Sequence, residues 1–152
     1  FQYSAEAALQ ANSIAIVFLT LGCIFWGWLA DRIGSYRVLL IGALALAASS
    51  YVFYHALPAD VLHTTALYSL TGFALGSVAV VPMILVGLFP PAVRYSGFSF
   101  SYNVAYSIFG GFTPILIALW LNVDTLAPAH YLAMVCAVAF MLSFWLGRNH
   151  RL

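Results

Sequence analysis

Five long apolar runs, separated by short polar or proline-containing breaks, account for most of the chain. They extend from about Gln10 to Ala30, Tyr36 to Leu57, His63 to Phe89, Gly97 to Leu121 and His130 to Gly147. Pro58 follows the second run and Pro90-Pro91 ends the third, as expected where a helix must stop. Each run reaches at least about 18 residues, enough to cross the hydrocarbon layer as a helix. The runs are continuous rather than alternating, and far longer than a barrel strand, so helix is the predicted form. The pattern predicts an all-α membrane protein with about five transmembrane helices. The second and fifth runs are the greasiest and are expected to face lipid. The first, third and fourth carry more Asn, Tyr, Ser, Thr and Gly and are expected to lie inside.

Composition agrees with lipid as the solvent. Of 152 residues, 64% are hydrophobic and 6% charged, and the mean hydropathy is +1.02. A soluble domain has about 45–50% apolar and about 25% charged residues. So few charges cannot wet a globule of this size. A cytosolic enzyme, a disordered tail and a nucleic-acid binder, which needs a basic stripe, are excluded. The chain begins at Phe1 without a basic region, a short apolar run and a cleavage site, which reads as a fragment with residues upstream. Cys23 and Cys136 fall inside apolar runs and read as packing residues. The four His are scattered, so neither a metal nor any other cofactor is expected.

The placement of charge carries more than its amount. Arg32 and Arg37 lie between the first two runs, Arg94 between the third and fourth, and Arg148 and Arg151 after the fifth. These are alternate loops, so every basic residue falls on one side. The other side has Glu6, Asp60 and Asp124. The positive-inside rule puts the arginine loops in the cytoplasm, the N-terminus outside and the C-terminus inside. Tyr131, Trp120 and Trp145 fit interfacial anchors. Trp26 and Trp28 read as anchors or packing residues rather than a cation cage. No charged side chain lies mid-span, where proton and ion relays are usually found.

Two stretches carry specific information. The first, Gly27-Trp28-Leu29-Ala30-Asp31-Arg32-Ile33-Gly34-Ser35-Tyr36-Arg37, sits where the first run meets a very short turn. Gly27 permits close approach of a neighbouring helix, and Gly34 permits a tight reversal. Asp31 is placed to cap a helix N-terminus. The stretch resembles the loop motif of the major facilitator superfamily, Gly-x-x-x-Asp-Arg-x-Gly followed by two basic residues. The match covers Gly27, Asp31, Arg32 and Gly34; Ser35 and Tyr36 depart from it, and Arg37 comes one step late. The family carries this loop once in each six-helix half, often degenerate in the second, so the departure suits a C-terminal half.

The second stretch runs from Leu88-Phe89-Pro90-Pro91-Ala92-Val93-Arg94-Tyr95-Ser96-Gly97 through Tyr102-Asn103 to Gly110-Gly111-Phe112-Thr113-Pro114. Ser96 or Gly97 is expected to open the fourth helix. The whole stretch resembles the metabolite–proton symporter branch of that superfamily, which includes transporters of α-ketoglutarate, citrate, shikimate, and proline or betaine. Gly87 stands where that branch usually has Glu. The resemblance implies helices eight to twelve of a twelve-helix fold, with helix seven and the N-terminal helices as missing partners. It implies a multi-pass protein of the bacterial inner membrane whose partners are lipid, a small-molecule substrate and protons.

Candidate binding residues lie on polar faces of the interior runs. Ser99, Asn103, Tyr106 and Gly110 recur at helical spacing, with Tyr102 on an adjacent face. Without partners in lipid such groups cost several kcal/mol each, so they should face other helices or water. Gly110, Gly111 and Pro114 offer a point of bending. On the third run, Tyr68 and Thr71 share a face, and Gly72-x-x-x-Gly76 has the spacing for close packing. Thr20 adds a hydroxyl on the first run. Gly27, Asp31, Arg32, Gly34 and Arg94 are the candidate gating residues. His55 and His63, near Asp60, are a candidate pH sensor.

The leading expectation is secondary-active transport of a small polar metabolite, an organic acid or zwitterion, by alternating access and proton coupling. The alternative is a non-transporting scaffold or accessory subunit that keeps the fold. An intramembrane enzyme would need a nucleophile–base pair or metal ligands at membrane depth, and a channel would need a charged ring or filter loop. Neither pattern is present, so the chain is expected not to be an enzyme.

Overall fold

A computed structural model describes residues 4–57 and 60–149. Among these residues every regular element is helical. Helix α1 spans Ala5–Ile33, α2 Ser35–Ala56, α3 Val61–Leu75, α4 Val80–Leu88, α5 Arg94–Leu121 and α6 Ala127–Asn149. A 3-10 turn, Gly76–Ala79, joins α3 to α4, so the two form one interrupted crossing. Five helical segments are long and apolar enough to cross a membrane. The all-α, five-helix expectation holds.

The interruption in the third crossing has a cause in the sequence. Pro82 has no N–H to give the Val78 carbonyl four residues earlier, and its ring crowds that carbonyl. The backbone tightens to 3-10 bonding just before it. One turn of α1 reads this distortion directly. Trp26 Nε1 donates to the Phe73 carbonyl at 3.0 Å, and Gly22, one turn earlier, lies against the same carbonyl.

Glycine sets the distance between α1 and α3. A methyl at Gly72 would stand 2.7 Å from the Ala15 carbonyl oxygen, and one at Gly76 would stand 2.5 Å from the Gly22 backbone. Gly72 and Gly76 therefore act as the packing pair their spacing predicts. Gly42 of α2 lets the Ser77 side chain against the backbone in the same way. Gly27 differs from expectation: nothing among the described residues comes within 4 Å of a methyl built there.

Among the described residues, burial departs from the expected division at two helices, α2 and α5, while the third crossing is among the most buried and α6 among the less buried, in line with it. Helix α2 buries Val38, Gly42, Ala43, Leu46, Ser49 and Ser50, more than any other helix, and packs on α1, α3, α4 and α6. Among the described residues, helix α5 buries none of its own and touches α4 and α6 alone. The physical reason is that hydropathy does not separate lipid from protein, since both neighbours are apolar. Small residues do, and α2 has a seam of them. Its serines close on their own helix, Ser49 Oγ to the Leu46 carbonyl at 3.2 Å and Ser50 Oγ to the Ala47 carbonyl at 2.8 Å.

The fourth crossing begins at Arg94, earlier than Ser96 or Gly97. Val93 N–H closes a turn onto the Pro90 carbonyl at 3.1 Å, and Gly97 N–H already makes a helical bond to the Val93 carbonyl at 2.8 Å. The Ser96 hydroxyl bonds the Val93 carbonyl and caps nothing. Gly97 instead makes room for the Phe89 ring.

Replacing Gly76 by Ala is expected to destabilise the bundle by about 1–3 kcal/mol, the usual cost of overpacking. Gly27→Ala should leave stability unchanged or raise it slightly, because the added methyl meets open space. Unfolding midpoints in detergent micelles would separate the two; equal midpoints would contradict the close-packing account.

Candidate functional site

The short reversal between α1 and α2 is built on one residue. Gly34 has φ 92° and ψ 142°, a conformation open to glycine and strained for any side chain. Its N–H ends α1 on the Ala30 carbonyl at 2.9 Å, and its carbonyl starts α2 by accepting from Val38 N–H at 3.2 Å. Asp31 takes no part in this. It is exposed, forms no hydrogen bond or ion pair among the described residues, and no side chain caps α2. Its expected capping role is corrected: the glycine bonds already close both helix ends. Arg32 lies over the Trp28 ring at 4.6 Å, so Trp28 does hold a cation, one from its own helix. Arg94 Nε donates to the Phe89 carbonyl at 3.2 Å and braces the turn after the double proline.

Asp31 and Gly34 border a cavity of about 1060 Å³ that also meets Tyr36, Arg37, Gly87 and Arg148. The position where the resembling branch usually has Glu thus opens onto a space shared by two arginines. Arg151 lies outside the described residues.

Helix α5 carries the most distinctive polar face. Tyr106 is 62% exposed, and Asn103 is exposed with Nδ2 bonded to the Ser99 carbonyl of its own helix at 2.7 Å. Asn103 Oδ1 has no partner among the described residues. Tyr102 is not set apart from this face as expected. Its ring packs on Tyr106 with centroids 4.7 Å apart, and on Phe98 at 5.4 Å. Phe98, Tyr102 and Tyr106 form a ladder at successive four-residue steps; that spacing was available in the sequence as a signal. Below it, Pro114 deprives the Gly110 carbonyl of its helical donor, and methyls at Gly110 or Gly111 would meet nothing within 4 Å. Thr113 Oγ1 and Tyr131 Oη, 2.6 Å apart, tie α5 to α6.

The other candidates lie elsewhere. Tyr68 donates to Asn12 Oδ1 at 3.0 Å and stacks on Phe53 with centroids 5.1 Å apart. It borders a separate cavity of about 250 Å³ between α1, α2 and α3, with Ala8, Ala11, Asn12 and Phe53. Thr71 turns its hydroxyl to the Leu67 and Ser49 carbonyls, at 2.9 and 3.3 Å. Thr20 bonds the Ile16 carbonyl of its own helix. Since α5 touches neither α1 nor α3, the described residues do not bring Asn103 and Tyr106 together with Tyr68, Thr71 or Thr20. No group of His, Cys, Asp or Glu able to hold a metal occurs among the described residues.

Comparison with known proteins places this architecture. Residues 1–89 match the family model described as MFS/sugar transport protein. A putative proline/betaine transporter of Staphylococcus aureus (strain COL) is 33% identical over 144 residues, covering 91% of this chain and 30% of the relative. An ectoine/proline transporter of Corynebacterium glutamicum is 33% identical over 147 residues, covering 90% of this chain and 28% of the relative. The shikimate transporter of Escherichia coli (strain K12) is 31% identical over 139 residues, covering 88% and 31%. No solved structure matches the chain. The chain belongs to the major facilitator superfamily, a family of transporters rather than enzymes. It is a multi-pass integral membrane protein of the bacterial plasma membrane. It spans about 30% of the length of the curated relatives it matches.

Gly34→Ala is expected to lower stability by about 1–3 kcal/mol, because alanine is strained at this backbone conformation. Asp31→Ala should cost less than about 0.5 kcal/mol, as for a surface change that breaks no contact. Thermal unfolding in micelles reads both; a large loss for Asp31→Ala would show that it caps a helix after all.

Proposed function

We propose that the chain is the C-terminal part of a secondary-active transporter. It works with a preceding set of helices to move a small polar metabolite, an organic acid or zwitterion, by alternating access coupled to protons. On this reading the five crossings are helices eight to twelve of twelve. The turns holding Arg32, Arg37 and Arg94 face the cytoplasm, as the positive-inside rule favours.

The observation that carries the proposal is the state of α5. It is a membrane-length helix that buries nothing against its own neighbours, yet bears an amide and a phenol ladder. Polar groups at membrane depth are costly unless they meet protein, water or solute. In family relatives the companion half supplies a facing surface, and substrate sites lie between the halves near mid-membrane. Asn103 offers an amide acceptor and donors, and Tyr106 a hydroxyl. Ser99 and Tyr102 border them. The names of the relatives, proline/betaine, ectoine/proline and shikimate transporters, support a zwitterion or organic acid as the solute class.

The same helix offers a way to move. The free Gly110 carbonyl, the absence of side chains at Gly110 and Gly111 and the ring of Pro114 all lower the cost of bending there. Gly34 and Arg94 stiffen the two turns at the arginine end, and Asp31 and Arg32 are left available to a partner surface. Tyr68, with Asn12, is a secondary candidate for solute contact. No carboxylate lies within α5, so a coupling proton needs a group elsewhere in the whole transporter.

Cysteines introduced at Asn103 and Tyr106 in the whole transporter should react with a soluble maleimide. Betaine, proline, ectoine or shikimate, tried singly, should slow that reaction several-fold for the true solute class. Labelling unaffected by every one of them would favour a scaffold that kept the fold.

A further inference from the structure

The turn between α5 and α6 holds a chain of polar side chains that the proposed function does not use. Asp124 accepts from Leu126 N–H through Oδ1 at 2.8 Å, and its Oδ2 lies 3.1 Å from His130 Nε2. The other ring nitrogen of His130, Nδ1, lies 2.7 Å from the hydroxyl of Tyr51 on α2. The Tyr51 ring stands edge-on to the imidazole with centroids 5.5 Å apart, and Trp120 of α5 tilts over it at 6.1 Å. His130 and Asp124 are 37% and 35% exposed, so the chain is held by the protein and still open to solvent.

The two-sided bonding gives the ring a definite response to a proton. In the neutral ring, Nε2–H donates to Asp124 and Tyr51 O–H donates to Nδ1. When a proton from water binds Nδ1, that nitrogen becomes a donor and the Tyr51 oxygen accepts; the tyrosine hydrogen turns away. The Nε2–H contact with the Asp124 carboxylate, charged on one side in the neutral state, becomes an ion pair with charge on both sides, which strengthens it. No hydrogen bond of the chain is lost, and one gains a full charge pair.

The surroundings leave this response to the three residues. Among the described residues, helix α6 packs on α2 and α5 alone. From α2 the titratable group at the ring is Tyr51; His55, one turn on, is exposed and has no hydrogen bond or ion pair among the described residues. From α5 the facing side chain is Trp120, which does not titrate. Tyr131 on α6 is turned to Thr113. The His63–Asp60 pair is a different case: at 2.5 Å it is 76% and 63% exposed, sits at the start of one helix and connects no second element.

We propose that Asp124, His130 and Tyr51 form a proton-binding clamp. Uptake of one proton on His130 Nδ1 fastens the α5–α6 turn to α2, at the end of the bundle opposite the arginine turns. The clamp matters mechanically because, among the described residues, α5 reaches the α1–α3 body through α4 and α6 alone. Acidity at that end therefore biases the position of the helix that carries Asn103 and Tyr106. The clamp rests on its own geometry and stands whether or not the chain transports.

The test uses the whole protein in nanodiscs of phosphatidylethanolamine and phosphatidylglycerol. A charged imidazole quenches a neighbouring indole. Lowering the pH from about 8 to about 5, the interval in which histidine changes charge, should quench tryptophan emission in one step. His130→Gln and Trp120→Phe should each abolish that step. A spin label on Val123→Cys, an 88% exposed position in the turn, should lose mobility on acidification, with the unsubstituted protein as labelling background. Tyr51→Phe, which keeps the ring's bulk, and Asp124→Asn, which removes the charge pair, should each retain the quench but lose the mobility change. A label whose mobility ignores pH in the otherwise native protein, or one that responds as fully in Asp124→Asn as without it, would overturn the clamp.

Discussion

The backbone-to-backbone approach of α1 and α3 is the constraint on which the other contacts rest. Lipid gives helices no hydrophobic reason to associate, so contact area and hydrogen bonds must hold them. Gly22, Gly72 and Gly76 remove the side chains that would keep the two helices apart. The Phe73 carbonyl then reaches both Gly22 and the Trp26 indole N–H. The 3-10 turn that Pro82 imposes lies at this junction, and Ser77 within it seats against Gly42 of α2. Through that contact α2 joins the pair, and α6 packs along α2.

Helix α5 stands outside this hierarchy. It is covalently close to α4 through the Pro90–Val93 turn and bonded to α6 through Thr113 and Tyr131, but it buries no residue of its own. A well-packed body and one loosely held polar helix make an economical division of labour. On the proposed function, the body keeps its shape while the helix with Asn103 and Tyr106 meets solute and bends near Pro114. The proton clamp would then act on the helix that is least buried among the described residues.

Much of the fold was legible in the sequence because membrane length and helix breakers are one-dimensional signals. The five runs, the reversal at Gly34 and the close packing at Gly72 and Gly76 were all readable. The family resemblance, carried by the Asp31-Arg32 loop and the Leu88–Pro114 stretch, agrees with the relatives found. Burial was not legible, since α2 is buried by the shape of Gly42, Ala43, Ser49 and Ser50 rather than by polarity. The early start of α5 was hidden because Pro90 and Val93 close a turn that needs no Ser or Gly cap. The candidate site was legible only in part. Asn103 and Tyr106 share a helix, so spacing places them together; Tyr68 and Thr20 belong to other helices, whose distance from α5 no periodicity reveals. His130 was missed because its partners, Asp124 and Tyr51, come from a turn and from a helix far away in sequence.

On the proposed function, the exposed face of α5 forms part of a solute path. Counterflow of radiolabelled solute in proteoliposomes containing the whole transporter tests it most directly, with each of the zwitterions and organic acids named for the relatives. Saturable exchange of at least one of them is expected, lowered ten-fold or more by Asn103→Ala in protein that remains folded, on the order of the loss of one or two buried hydrogen bonds. Exchange unaltered by Asn103→Ala and Tyr106→Phe together, or no exchange of any such solute, would contradict it.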